Sequence, residues 1–284
     1  MINSLKIAVV IVLILTGSFW SCLSYAGETE MKPMFIFSPM AGWVKNKVMF
    51  VNPGTNERQT FIDESPIYGF DLVYISPRIV LGATGHRNDS AAVSERGLLW
   101  HGNYFFNRCH GMQPTVGLAI ENISLYSQLS SADVPGLVSL DAFNDIMSTH
   151  ATAGVVFDDL IPNELVKIKL TPFAGYFNEK VRAIISSPGV RVGASNRFGF
   201  EAESTVNLDY LSLGAKIELD LHHFLKLDTK VYYRLKSGAK TYYTLRNRID
   251  FFFSRKFGVS AKIDYFRDKY ETNLFIMAGP ALVF

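Results

Sequence analysis

From Thr241 to Phe253 the chain reads Thr-Tyr-Tyr-Thr-Leu-Arg-Asn-Arg-Ile-Asp-Phe-Phe-Phe. Tyr243, Leu245, Ile249, Phe251 and Phe253 share one parity, and Tyr242, Thr244, Arg246, Arg248 and Asp250 share the other. Successive side chains of a β-strand point to opposite faces, so this segment has one apolar face and one charged face. An amphipathic strand suits a soluble sheet as well as a membrane wall. Its neighbours decide between them.

Alternation bounded by turn residues recurs in about twelve segments, the number that strands of ~9–11 residues and their connections allow in a chain of this length. They run 34–44, 66–76, 79–87, 98–106, 114–123, 151–160, 165–177, 206–221, 226–236, 241–253, 257–267 and 273–284. The connections sort by length. Ser76 to Arg78, Asn107 to Gln113, Ile161 to Glu164, His222 to Leu225 and Ser254 to Lys256 are short, while the other set is generally longer, at 45–65, 88–97, 124–150 and 178–205, with only its last two, Ser237 to Lys240 and Asp268 to Glu271, short. Short turns at one end and long loops at the other are the arrangement of a transmembrane barrel. A soluble sandwich has no reason to sort its loops this way. The expected fold is therefore all-β: a transmembrane antiparallel up-and-down barrel of about 12 strands. Apolar residues at 48% fit it, because a barrel strand needs only every second residue to be apolar.

The first 26 residues read as a signal peptide. Lys6 precedes the apolar run Ile7 to Leu15, and Ser24-Tyr25-Ala26 supplies a cleavage site. The run is well short of the ~20 residues a spanning helix needs. Residues 27–284 then form one barrel domain. Without the leader, Cys109 is the only cysteine, so no disulfide staples the chain. The charge is close to balanced and gives no sign of a nucleic-acid footprint, which needs a strongly basic face.

In its leader, its alternating strands and its last residue, Phe284, the chain resembles Gram-negative outer-membrane β-barrel proteins. The resemblance is architectural and covers the whole mature chain. It implies a cell outer-membrane location, outer-membrane lipid as surroundings, and insertion by the barrel-assembly machinery. Phe284, Leu282 and Ile276, with Ala278 and Leu274, match the C-terminal pattern that this machinery reads. Pro280 departs from it and, lacking a ladder donor, is expected to leave the strand bent or locally unpaired.

The charged face comprises Lys216, Glu218, Asp220, Asp228, Lys230, Arg234, Arg246, Arg248, Asp250, Lys262 and Asp264. In a membrane barrel it is expected to line the lumen, because charge facing lipid is costly near the midplane. A turn centred on Lys256 would set Arg248 against Asp264 and Asp250 against Lys262. Two roles follow for such a face: a pore for ions or small solutes with a mild anion preference, or a salt-bridged plug. Glu121 and Asp158 are expected inside, paired with Lys167 or Lys169.

No catalytic constellation and no cofactor are expected. His150-Ala151-Thr152 is the nearest match to the His-x-Ser of outer-membrane phospholipases, with threonine in place of serine and no third partner. No metal site is expected: His86, His101, Cys109, His110, His222 and His223 show no recognised ligand spacing. Two accessories are expected. The 124–150 segment would carry a short helix capped by Ser131 or Asp133, with Leu137, Leu140, Phe143 and Met147 on one side, and 178–205 would extend as a hairpin. Three functions are thus open: a porin-like channel, a non-conducting structural or surface-binding barrel, and a lipid-modifying enzyme.

Overall fold

The computed structural model describes residues 33–51, 58–90, 93–108, 111–130, 139–158, 160, 165–192, 196–221, 224–235, 242–267 and 271–284. Twelve strands follow in order: β1 (Met34–Val51), β2 (Arg58–Ile75), β3 (Ile79–Asp89), β4 (Val93–Phe105), β5 (Met112–Ser130), β6 (Ser139–Phe157), β7 (Val166–Val192), β8 (Asn196–Leu221), β9 (Leu225–Leu235), β10 (Tyr242–Phe252), β11 (Phe257–Arg267) and β12 (Glu271–Val283). Each pairs antiparallel with its sequence neighbours, and β1 pairs with β12 to close the barrel. Closure leaves no open sheet edge within the wall, as a lipid-embedded sheet requires.

The alternation sorts the residues as expected. Trp43 and Tyr68 point outward and are 63% and 61% exposed. Near the short-turn end the outer face carries Phe35, Tyr74, Tyr104, Phe251, Phe253, Phe257 and Phe284. Toward the other end it carries Trp43, Tyr68, Tyr176, Tyr233, Tyr243 and Tyr265, the last three in ring contact in series at 5.3 and 6.1 Å. Two aromatic girdles bounding an aliphatic band are the outer surface of a membrane barrel.

The long connections prove to be mostly strand. β1 and β2 continue as a paired ladder out to Val51 and Arg58. Residues 124–130 belong to β5 and 139–150 to β6, so the helix expected across 124–150 does not form there. Phe143 and Met147 are outward and Ile146 inward; Ser131, Asp133 and Leu137 lie outside the described residues. The expected hairpin at 178–205 is present: β7 and β8 stay paired to Val192 and Asn196, with a register shift between Ser187 and Val190. Residues 1–26, expected as a signal peptide, and Cys109, His110, His222 and His223 also lie outside the described residues.

Glycines let rings lie flat on the inner wall. A β carbon on Gly82 would collide with the His101 ring, and one on Gly97 with the His86 ring. The closing seam is incomplete. Ile36 and Phe37 pair with Val283 and Leu282, and Ala41 onward with Ala278 onward, but the ladder skips the stretch holding Pro39 and Pro280. Phe284 closes the ring below this gap, accepting from the Phe35 amide at 3.1 Å and donating back at 2.9 Å.

Candidate functional site: a bridged lumen

On β10 the inward parity presents Thr244, Arg246, Arg248 and Asp250, with Lys262 and Asp264 of β11 beside them. The turn is centred on Arg255, one residue earlier than expected. Arg246 therefore meets Asp264, Arg248 meets Lys262, and Asp250 meets Ser260. Both expected pairs, Arg248 with Asp264 and Asp250 with Lys262, are corrected by two residues. A two-residue slip keeps every side chain on its face, which is why parity was right and register was not.

The charges reach across the barrel. Arg246 Nη2 donates to both Glu121 carboxylate oxygens, at 3.0 and 3.2 Å, although β5 stands five strands round the ring from β10. Glu121 thus pairs with Arg246 rather than with Lys167 or Lys169. Arg248 pairs with Asp71 of β2, four strands away, and its Nε donates to Asp250 Oδ2 at 2.8 Å. Asp71 is 2% exposed and also accepts from the Thr84 hydroxyl. Lys262 Nζ lies 4.0 Å from Asp71 Oδ1, donates to Thr84 Oγ1 at 3.1 Å and lies 3.8 Å from Asp264. The Ser260 hydroxyl donates to Asp250 and accepts from Ser38 of β1 at 3.1 Å. These contacts cross the lumen and narrow it at that level.

The remaining expected lumen residues sit on the same inner face. Lys216 bridges Glu218 at 2.9 Å and Asp228 at 2.8 Å. Arg234 pairs with Glu179 at 3.2 Å, its guanidinium over the rings of Phe177, Phe266 and Tyr242 at 4.4, 4.9 and 5.4 Å. Lys230 differs: among the described residues no carboxylate lies within ion-pair distance. Its ammonium sits over the Phe173 and Tyr232 rings, at 4.9 and 5.5 Å, a cation–π arrangement. Asp158 pairs with Arg108 and lies 3.8 Å from Lys169.

The described histidines, His86, His101 and His150, are inside. His86 Nε2 is 2.9 Å from Glu95, and His150 Nε2 is 2.7 Å from Ser212 Oγ. His150 and Ser212 are 5% and 0% exposed, walled by Phe177 and Tyr232. Thr152, two residues on, also faces inward. A phospholipase-type pair needs the hydroxyl on the lipid side, and this one is sealed within. Among the described residues no three of histidine, cysteine, aspartate and glutamate converge as a metal site.

Asp71, Thr84 and Ser260 were not among the lumen residues expected from sequence. Asp71 had a signal: Tyr68, Phe70, Leu72 and Tyr74 take one parity of its strand and leave it on the other. On the neighbouring strands β1, β2 and β12, part of the lumen wall is apolar. Met40, Val44, Ile67 and Met277 form a buried cluster with Phe275 against it, and the His86 ring lies 5.5 Å from Phe275.

No protein-family model and no curated protein matches the chain. Solved structures do. The translocator domain of autotransporter NalP from Neisseria meningitidis aligns over 99% of this chain and 97% of its own, with a TM-score of 0.52 and 12% identity. The transport unit of the autotransporter AIDA-I from Escherichia coli aligns over 95% and 96%, with a TM-score of 0.44 and 10% identity. The P. putida toluene transporter TodX aligns over 92% and 90%, with a TM-score of 0.40 and 8% identity. At 12% identity the likeness to the first of these is one of fold, and the chain has the architecture of an outer-membrane β-barrel.

Proposed function

We propose that this protein is an integral outer-membrane barrel that is closed at rest and conducts no steady current. On this reading the girdled band sits in the outer membrane of a Gram-negative cell. The barrel-assembly machinery inserts it, with Phe284, Leu282 and Ile276 as the sorting signal, and the β7–β8 hairpin projects on the far side as the surface-binding element. One observation carries the reading: Arg246–Glu121 and Arg248–Asp71 tie β10 directly to β5 and β2 across the lumen. An open porin needs those walls apart. Planar-bilayer recording of the mature protein tests it. We expect verified insertion without discrete steps, and stable wild-type conductance steps would overturn it.

A second reading is a gated passage for ions or small solutes, favoured by Lys230, an inward cation without a carboxylate partner among the described residues. It predicts steps once Arg246 and Arg248 are both replaced by alanine. Reversal potentials would show a mild anion preference while Lys230 remains. Silence of that double variant removes this reading.

A further inference from the structure

Asn247 is the middle residue of the 11-residue strand β10, and its parity places it on the outer, lipid-facing wall. Tyr243 and Phe251 of the two girdles stand four residues to either side, about 13 Å each way at the rise of a strand. Asn247 thus lies at half height in the band. Its cross-strand partner on β9 is Thr229, a second polar group on the same face. Among the described residues, neither side chain makes a hydrogen bond. Hydrocarbon offers no water, and lipid esters lie out at the interfaces, so neither group finds a partner in the bilayer.

We propose that Asn247 is the centre of a lateral contact between two copies of this chain. A carboxamide carries both donor and acceptor, so the same residue of a second copy is its natural complement. A two-fold axis passing beside Asn247 lets each Nδ2 donate to the other copy's Oδ1. The relief of the wall fits this. Ala261 of β11 lies diagonally beside Asn247, and Ala278 and Ala41 continue its row through β12 and β1. That row of methyl groups lets a second wall approach closely, and the neighbouring Leu245 and Ile249 fill the flanks. The proposal rests on the barrel's lying in a membrane.

The mature full-length chain is inserted into vesicles and counted by single-molecule photobleaching. Wild type is expected to be dimeric. Asn247→Leu, which removes the polar group without harming the fold, is expected to weaken self-association about tenfold, roughly the worth of one such contact in a membrane. In a Cys109→Ser background, Asn247→Cys is expected to cross-link to itself on oxidation, while Ile217→Cys, on β8, does not. A monomeric wild type, or Asn247→Leu dimerising as strongly as wild type, overturns the proposal. Failure of the wild type to float with vesicles or to show heat-modifiable gel mobility overturns the membrane reading instead, and the contact with it.

Discussion

Besides Ser38 and Asp71, strands β1, β2 and β12 turn the apolar cluster of Met40, Val44, Ile67 and Met277 into the barrel, whereas β10 and β11 turn in Arg246, Arg248, Asp250, Lys262 and Asp264. The two walls fill adjoining parts of the lumen by different physics. The apolar wall packs without regard to direction, and its cost of change scales with the volume left empty. The ionic wall has direction: each charge is tolerable only while its partner is in place, because desolvation is offset pair by pair. The apolar wall therefore supports the barrel locally, while the ionic wall couples strands that are far apart in the ring.

This contrast is most sharply broken at Asp71. Asp71→Ala leaves Arg248 and Lys262 facing each other without their shared carboxylate, and a loss of about 3–5 kcal/mol is expected in denaturant unfolding from micelles. An unchanged midpoint would mean that water already solvates those cations. Glu121→Leu should cost a similar amount alone, but pairing it with Arg246→Met should recover most of the loss. A dry hydrophobic pair replaces a buried ion pair at little cost. If the double variant stays as weak as the single, the transluminal contact does more than neutralise charge. Next in size, Gly97→Ala displaces the His86 ring and is expected to cost about 1–3 kcal/mol by overpacking. On the apolar wall, Met277→Leu keeps the volume and should cost under about 1.5 kcal/mol in the same assay.

The exposed β7–β8 hairpin sets the floor of the scale. The Arg182 hydrogen bond and charge hold the Glu203 carboxyl below its usual range. The pair's contribution is present above the ordinary glutamate pKa and is lost only as pH falls through the lowered one. Glu203→Gln should leave the unfolding midpoint unmoved at neutral pH.

The walls also differ in how far they could be read from sequence. Inside the membrane band, lipid on one side and lumen on the other force alternation, so the twelve strands and the inward parity of Arg246 and Arg248 were legible. Beyond the band both faces meet water. Lys45, Asn46 and Lys47, or Asn144 and Asp145, then carry no alternation, and their strands read as loops. Register escaped because parity fixes the face and not the partner. The Arg246–Glu121 contact escaped because it joins residues 125 positions apart, and no local pattern encodes it.

The prolines at the closing seam bear on how such a barrel comes to exist. Every other hairpin joins strands that are neighbours in the chain, but β1 and β12 meet only when nearly the whole sequence has been laid down. That union has the largest loop-closure cost and forms late. Pro39 and Pro280 withhold donors at this joint, so the final zipper engages at its two ends and skips its middle. Once closed, the joint is held from its two ends, by the Phe35–Phe284 pair on one side of the gap and the Ala41–Val48 ladder on the other.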